Sequence, residues 1–222
     1  MQEQFTCHLA VKFTAAWQQL DKSRRSSVTH AAVAIFDSFK DRVGLRGTYV
    51  VQGFQGHTDL LFWMFADHFD DIQDLQLELR RAELGNYIDI PHAFTGVTKP
   101  FEFSTHPTSF AVGMTPRKYL CFYPFIRKPE YYLLPKWERK ALITDHGDIG
   151  HAFVPDILTN GVYGFGLGDY EWLLTFETND LGRLVDCVRK LRESKSRLYM
   201  QDEHPFIVGR YFPLADALSQ YV

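Results

Sequence analysis

The sequence predicts an α+β protein in which one structural unit occurs twice. Sliding the chain against itself by 112 residues, about half of its 222-residue length, aligns residues 56–87 with 168–199 without a gap. Six aligned pairs are identical: Gly56/Gly168, Leu61/Leu173, Asp74/Asp186, Leu79/Leu191, Arg80/Arg192 and Tyr87/Tyr199. An offset of this size indicates duplication of a unit rather than a short-period solenoid. We expect a first half over residues 1–112 and a second half over residues 113–222.

The first half shows the patterns of strands and amphipathic helices in turn. Apolar runs predict the strands, and apolar side chains three or four residues apart predict the helices. The predicted elements are a strand at 5–13, a helix at about 26–42, strands at 48–52 and 59–65, and a helix carrying Ile72, Leu75 and Leu79.

The second half repeats this order. Its predicted elements are a strand at 118–127, a helix at about 135–158, strands at 161–165 and 171–176, and a helix carrying Leu184, Cys187, Val188 and Leu191. Asp180 is the expected N-cap of the last helix. The order strand, helix, strand, strand, helix, strand is ferredoxin-like. We therefore expect a duplicated ferredoxin-like repeat forming a dimeric α+β barrel within one chain.

Residues 86–116, with Pro91, Pro100, Pro107 and Pro116, are predicted to form the connector between the halves. A connector of this length inside a compact chain is more often functional than idle.

Composition excludes several classes of protein. The net charge of −3 and the absence of a Lys/Arg-rich run argue against a nucleic-acid partner. No apolar run is long enough to span a bilayer, and the first residues do not resemble a signal peptide, so we expect a cytoplasmic protein. Three distant cysteines predict neither a disulfide framework nor a cysteine zinc site. The aromatic content of 15% suits either a core or a pocket for a large flat ligand.

Residues 117–127 form the clearest chemical pattern. Strand alternation places on one face Arg117, Tyr119, Cys121, Tyr123, Phe125 and Arg127. One interpretation is a core strand with an arginine at its end. The other is the wall of a pocket for an aromatic, anionic ligand, since arginine binds carboxylates with two parallel hydrogen bonds.

The helical segment 144–150 contains Gly147 and Gly150 close to His146. Glycine inside a helix costs about 1 kcal/mol relative to alanine, which indicates that another group approaches closely. A histidine among small residues is either structural or an axial ligand to iron. His151 is five residues further on, so the two do not make the i, i+4 zinc pair.

His106 lies among the prolines of the connector. It is either a solvated side chain or, if the connector folds over a pocket, a group able to move a proton near neutral pH.

Three segments resemble a known family: Tyr123-Pro-Phe125, Asp145-His-Gly147 and Gly166-Leu-Gly-Asp-Tyr-Glu-Trp172. They are similar to the chlorite dismutase-like superfamily, and specifically to the actinobacterial-type coproheme decarboxylases. The resemblance extends through the second half to residue 209 and is looser in the first half.

The resemblance implies roles for the residues singled out above. His146 would be the proximal iron ligand, Tyr123 the radical-forming catalytic tyrosine and His106 the distal base. Phe125 and Arg127 would line the porphyrin near its propionates, and Arg197 is a further candidate propionate partner.

The sequence departs from the family at two positions. Chlorite dismutases carry a distal arginine thirteen residues after the axial histidine. Here that position, expected to line the porphyrin, is Thr159, which disfavours chlorite chemistry. Actinobacterial decarboxylases tend to have tryptophan where Tyr131 stands, which puts its side-radical role in doubt.

The implied reaction is the oxidative decarboxylation of two propionates of Fe-coproporphyrin III to vinyls, giving haem b. Each step needs a two-electron oxidant, and hydrogen peroxide supplies it. In this scheme the substrate is also the redox centre, and the protein contributes positioning and electrostatics. The resemblance further implies a homo-oligomer, expected to be a pentamer, and a coproporphyrin ferrochelatase as a candidate partner.

Two alternatives remain open at this point. One is a chlorite dismutase or a general haem peroxidase. The other is a haem-binding carrier or sensor on the same fold, because fold does not fix function.

Overall fold

The structure, a computed structural model, describes residues 3–103 and 108–222. The chain divides into two compact units. The first unit contains the residues up to Val97 together with Val208–Val222, and the second contains Thr98–Ile207. This division differs from the expected boundary after residue 112, because the last strand and helix of the chain pack into the first unit.

The first unit is built on an antiparallel sheet. Its elements in chain order are β1 (Phe5–Phe13), α1 (Ala15–Gln19), α2 (Lys22–Phe39), β2 (Gly44–Val50), β3 (Leu60–Ala66), α3 (Phe69–Arg81), a 3₁₀ helix (Glu83–Asn86) and β4 (Ile88–Val97). The strands lie in the order β4-β1-β3-β2, which is the ferredoxin-like order.

The second unit repeats the pattern. Its elements are β5 (Tyr119–Arg127), α4 (Pro129–Leu133), α5 (Lys136–His151), β6 (Ile157–Tyr163), β7 (Trp172–Thr178), α6 (Leu181–Leu191), a 3₁₀ helix (Lys195–Tyr199) and β8 (Met200–Asp202). The strands lie in the order β6-β7-β5-β8, the same topology as in the first unit. The α+β class with a duplicated ferredoxin-like repeat is confirmed.

The C-terminal segment adds β9 (Ile207–Phe212) and α7 (Leu214–Ser219). Strand β9 pairs with β2 through Thr48↔Phe212 and Val50↔Arg210, and it extends the first sheet by one strand. Ala217 and Leu218 of α7 are buried in the core of the first unit.

That core lies between the first sheet and its helices. Alternate residues of β1 belong to it, together with apolar residues of α2 and α3: Cys7, Leu9, Val11, Phe13, Val28, Ala32, Phe36, Ile72, Leu75 and Leu79. Trp17 is fully buried among them and stacks on Phe13. Burial of each large apolar side chain contributes about 1.5–3 kcal/mol.

Two predictions about element boundaries are wrong. Residues 88–97 of the predicted connector form β4, the fourth strand of the ferredoxin-like order. The strand was not predicted because Pro91 lies within it. Pro91 is located where the pairing of β4 with β1 shifts register, between Ala10 and Lys12, as expected of a proline within a sheet. The helix predicted to reach residue 158 ends at His151, since Pro155 cannot continue a helix and Leu158 lies in β6.

The predicted N-cap of α6 is confirmed. The Asp180 carboxylate accepts hydrogen bonds from the backbone amides of Gly182 at 2.8 Å and Arg183 at 3.3 Å. Strand β7 and helix α6 begin 112 residues after β3 and α3, respectively, as the repeat predicts.

Candidate active site

A cavity of about 430 Å³ lies within the second unit, between its sheet and α5. Volumes of this size are typical of ligand pockets. Six of the residues singled out from the sequence line it: Tyr123, Phe125, Arg127, His146, Thr159 and Arg197. The seventh, His106, lies outside the described residues.

Strand β5 supplies the first wall. Tyr123, Phe125 and Arg127 alternate along it and therefore point to the same face. All three are buried. Helix α5 stands opposite, and none of its sixteen residues is buried. The space that a packed helix would fill is thus left to the cavity.

His146 reaches the cavity from α5. Its Nδ1 lies 3.4 Å from Ser196 Oγ, which leaves Nε2 as the nitrogen available to a metal. Metal-binding histidines use their second ring nitrogen in this way. His146 is half-buried, and this partial desolvation, assisted by the positive charge of Arg127, lowers the pKa of the imidazole, so the neutral form that binds metals is favoured.

A short hydrogen-bonded network fixes the surroundings of His146. Asp145 Oδ2 accepts from Ser194 Oγ at 2.9 Å and from the Lys195 backbone amide at 3.1 Å. Ser194 Oγ in turn lies 3.1 Å from Ser196 Oγ. These bonds hold the 3₁₀ helix that carries Ser196 and Arg197 against α5.

The glycines beside His146 are not explained by the protein's own packing. A Cβ at Gly147 would meet nothing within 4 Å, and at Gly150 it would meet Leu191 at an ordinary 3.9 Å.

Tyr123 is enclosed by aromatic rings. It stacks on Phe206 with ring centroids 4.4 Å apart and also contacts Phe125 and Phe176. Burial, followed by the negative charge of Glu203, raises the pKa of the Tyr123 phenol. The side chain therefore keeps its phenolic hydrogen at ordinary pH.

Arg127 carries a buried charge that forms no ion pair with a described carboxylate, although the more distant Glu171 and Glu203 favour its charged form. Among the residues that the structure describes, its Nε and Nη1 atoms have no hydrogen-bond partner. The guanidinium lies over the rings of Tyr131 at 4.2 Å and Phe125 at 5.6 Å, and burial lowers its pKa. A buried cation is costly unless it is paired, so this group fits a ligand carboxylate.

The other arginines of the cavity are differently placed. Arg197 Nη1 pairs with Glu203 Oε1 at 2.5 Å, and Arg192 pairs with the second oxygen of the same carboxylate. A single carboxylate, from a residue that the sequence did not single out, thus pairs with both guanidinium groups, and this cluster keeps a net positive charge.

An aromatic wall of Phe101, Tyr132, Tyr163, Phe165 and Trp172 closes the other side. Trp172 and Phe125 stack with an interplanar angle of 4°. Gly161 lies under Phe101, where an added Cβ would come within 3.2 Å of the ring. Thr159 faces the open cavity from β6.

Sequence reasoning missed most of this wall. Tyr132 lies in α4, Tyr163 in β6 and Glu203 just after β8, and no spacing along the chain connects them. Trp172 appeared only within a family motif. The high aromatic content was the one signal of such a wall.

These side chains fit a flat, anionic ligand that contains iron. The cavity offers one imidazole with its Nδ1 engaged, an unpaired buried guanidinium and flat apolar walls. In the described part of the chain, no cluster of three or more histidine, cysteine or acidic residues forms a metal site, and Cys7, Cys121 and Cys187 are free and buried. None of the described helices combines the length and the hydropathy needed to cross a bilayer.

Comparisons with known proteins agree with this arrangement. The profile of the family described as chlorite dismutase matches residues 25–212. Coproheme decarboxylase of Mycolicibacterium smegmatis is 35% identical over 199 residues, which cover 89% of this chain and 86% of that protein.

Solved structures show the same fold. Chlorite dismutase from Candidatus Nitrospira defluvii in complex with imidazole superimposes with a TM-score of 0.90 at 20% identity, covering 98% of this chain and 94% of that one. A mutant of the same enzyme gives a TM-score of 0.91 at 20% identity with the same coverage.

Proposed function

Because this chain belongs to the chlorite dismutase family, we propose that it is a coproheme decarboxylase that converts Fe-coproporphyrin III into haem b with hydrogen peroxide. The observation that carries the proposal is the convergence of Tyr123, Arg127 and His146 on one cavity. A haem carrier would have use for the histidine and the arginine, whereas a buried phenol beside them suits a reaction.

The reaction balances with one peroxide for each propionate. A propionate carboxylate side chain loses carbon dioxide, one proton and two electrons and becomes a vinyl group. Hydrogen peroxide accepts the two electrons and that proton and, with one further proton, yields two waters. The bound iron porphyrin is both the substrate and the centre that reacts with peroxide.

Arg127 would hold a propionate carboxylate. Its unpaired Nε and Nη1 atoms can donate two hydrogen bonds to such a group, and pairing would relieve the cost of the buried charge. Tyr123 lies four residues before Arg127 on the same face of β5, about 13 Å along the strand, so the phenol would face a different propionate of a porphyrin that Arg127 holds.

Tyr123 would pass its hydrogen atom to the oxidant and then take one from the propionate β-carbon. The raised pKa suits this role, because the phenol keeps the hydrogen that it must lose. His146 would hold the iron through Nε2. His106 would take the peroxide proton as a general base.

Thr159 supports decarboxylation over chlorite decomposition. A hydroxyl at this position supplies no positive charge beside the cavity, whereas the resemblance implies an arginine there in chlorite dismutases. We also propose a cytoplasmic location, assembly as a homopentamer and delivery of coproheme by a coproporphyrin ferrochelatase.

The test is to mix the purified protein with ferric coproheme and hydrogen peroxide and to weigh the porphyrin by mass spectrometry. Stepwise loss of two carboxyl groups is expected. Coproheme that binds with a changed absorption spectrum but keeps all four propionates would reject the enzyme in favour of a carrier. Decay of chlorite with release of oxygen would favour the chlorite dismutase alternative.

A further inference from the structure

A second tyrosine of the cavity has the surroundings of a redox-active side chain. The Tyr132 hydroxyl donates a hydrogen bond to Glu171 Oε2 at 2.5 Å and accepts one from Trp172 Nε1 at 3.2 Å. All of Tyr132, Trp172 and Tyr123 line the same cavity. Nothing in the decarboxylation scheme uses the triad of Tyr132, Glu171 and Trp172.

The triad is in contact with the proposed substrate site through stacked rings. Trp172 stacks on Phe125 with centroids 5.8 Å apart, and Phe125 lies 6.5 Å from the ring of Tyr123. An electron leaving Tyr132 can therefore pass to the cavity through Trp172. On its other side, Tyr132 contacts Phe165, which is 45% exposed.

The Glu171 carboxylate supplies what oxidation of a phenol requires. A phenol that loses an electron becomes a strong acid, and a base within hydrogen-bond distance can take its proton at once. Glu171 Oε2 also accepts from the Arg127 backbone amide at 3.0 Å, which fixes its position. The Glu171 carboxylate is therefore already positioned to accept the Tyr132 proton in the ligand-free protein.

Neighbouring tyrosines lack this arrangement. The Arg127 guanidinium lies over the ring of Tyr131, and a positive charge there opposes the loss of an electron. The Tyr163 hydroxyl donates to the Pro100 backbone carbonyl, which is a much weaker base than a carboxylate. Tyr132 thus differs from Tyr131 in having no guanidinium over its ring, among the described contacts, and from Tyr163 in its proton acceptor.

We propose that Tyr132, with Glu171 as its proton acceptor and Trp172 as its electron relay, removes oxidising equivalents that decarboxylation leaves unused. The inference rests on the proposed function, since the oxidant is the peroxide-treated iron porphyrin. One electron passes from Tyr132 through Trp172 to that centre, and the phenolic proton passes to Glu171. A small reductant such as a phenol or ascorbate, arriving at the exposed edge near Phe165, returns the electron, and the proton goes back.

The first experiment uses the protein loaded with ferric coproheme and treated with excess peroxide, with radicals trapped by rapid freezing and measured by electron paramagnetic resonance. Tyr132→Phe should lose most of the persistent tyrosyl signal. Glu171→Gln keeps the size of the side chain but removes the base, so the signal should form at least about tenfold more slowly. Tyr163→Phe is the matched control and should keep the signal.

The second experiment uses the ligand-free protein. Azide radicals generated by a radiolysis pulse oxidise tryptophan, and transfer to tyrosine is followed by absorbance. The transfer should diminish in Trp172→Phe and in Tyr132→Phe but not in Tyr163→Phe. This measurement requires no porphyrin and no turnover.

The two experiments separate the two ideas. If coproheme fails to bind or is not decarboxylated while the ligand-free transfer to Tyr132 is present, the proposed function fails and the redox pair stands. If coproheme is decarboxylated but Tyr132→Phe and Glu171→Gln give the same radical as the wild type, the inference is overturned. Circular dichroism confirms that each variant is folded before either result is counted.

Discussion

The two units have one topology, but only one of them fills its interior with its own side chains. Strands β1 and β5 have the same length and the same sequence of buried and half-buried positions. An offset of 114 residues relates them, and it also relates the starts of α2 and α5. Helix α2 buries Val28, Ala32 and Phe36, whereas α5 buries none of its residues.

The corresponding positions show what changed. Leu9, Val11, Phe13 and Ala32 belong to the apolar core of the first unit. At the same offset, the second unit has Tyr123, Phe125, Arg127 and His146, which line the cavity. Cys7 and Cys121 are identical and buried in both. The comparison teaches that a ferredoxin-like unit becomes a binding site when the side chains between sheet and helix are replaced by groups that need a ligand.

The largest effect is expected at Tyr123, which occupies in the second unit the position of Leu9 in the first. Tyr123→Phe should bind coproheme nearly as well as the wild type, because the two side chains have almost the same volume. Decarboxylation should fall by at least about a hundredfold, since phenylalanine has no hydrogen to donate. Mass spectrometry of the porphyrin after peroxide addition measures it. Wild-type conversion by the variant would assign the radical to another tyrosine.

An identical pair of leucines compares the two interiors directly. Leu79 lies in the closed core and Leu191 lines the cavity. In the ligand-free protein, Leu79→Ala should lower the free energy of unfolding by about 2–5 kcal/mol, because it creates a void. Leu191→Ala should cost less, since it only enlarges a space that exists. Urea denaturation measures both, and equal losses would contradict the comparison.

Arg127→Met tests whether the buried charge serves the ligand rather than the fold. Loss of the charge-assisted hydrogen bonds should weaken coproheme binding by about 1.5–3 kcal/mol, roughly 10- to 100-fold in Kd. The ligand-free variant should be as stable as the wild type or more so, because an unpaired buried cation is removed. A spectral titration gives the Kd for coproheme, and a melting curve gives the stability of the ligand-free variant. A variant that binds normally would show that another group holds the propionate.

The last prediction concerns pH and the first unit alone. Burial lowers the pKa of His8 to about 3, from a usual value near 6.5. Below pH 6.5 the unfolded chain takes up a proton that folded His8 refuses, so stability should fall with pH by about 1.4 kcal/mol per unit down to about pH 3. His8→Phe introduces the residue that the second unit has at the corresponding position, Phe122. In this variant the free energy of unfolding, measured by urea denaturation between pH 4 and 7, should depend less on pH. An unchanged slope would mean that His8 is not the titrating group.

Much of the fold was predictable because both repeats carry clear apolar periodicity. Strand β4 was not, since Pro91 and its largely exposed side chains give no alternation that a single sequence can reveal. The end of α5 was missed for a related reason: the apolar residues after His151 continue into β6 with only a short turn between them.

The candidate site was predictable where its residues lie close together on one element. Alternation along β5 brought Tyr123, Phe125 and Arg127 together, and the glycines drew attention to His146. Glu203, Glu171 and Tyr132 were missed because their significance arises from partners 6 to 40 residues away, which only the folded chain brings into contact. Local patterns cannot report such pairs.

Because no residue of α5 is fully buried, we expect the lifetime of this protein to depend on its substrate. A ligand that binds only the folded state adds to its stability, by about 2.7 kcal/mol at a concentration of one hundred times Kd. Without the ligand, α5 is held with little apolar burial and opens more readily to proteases. A cell that stops making coproheme would therefore degrade the empty protein faster, and enzyme abundance would follow substrate supply without any change in gene expression.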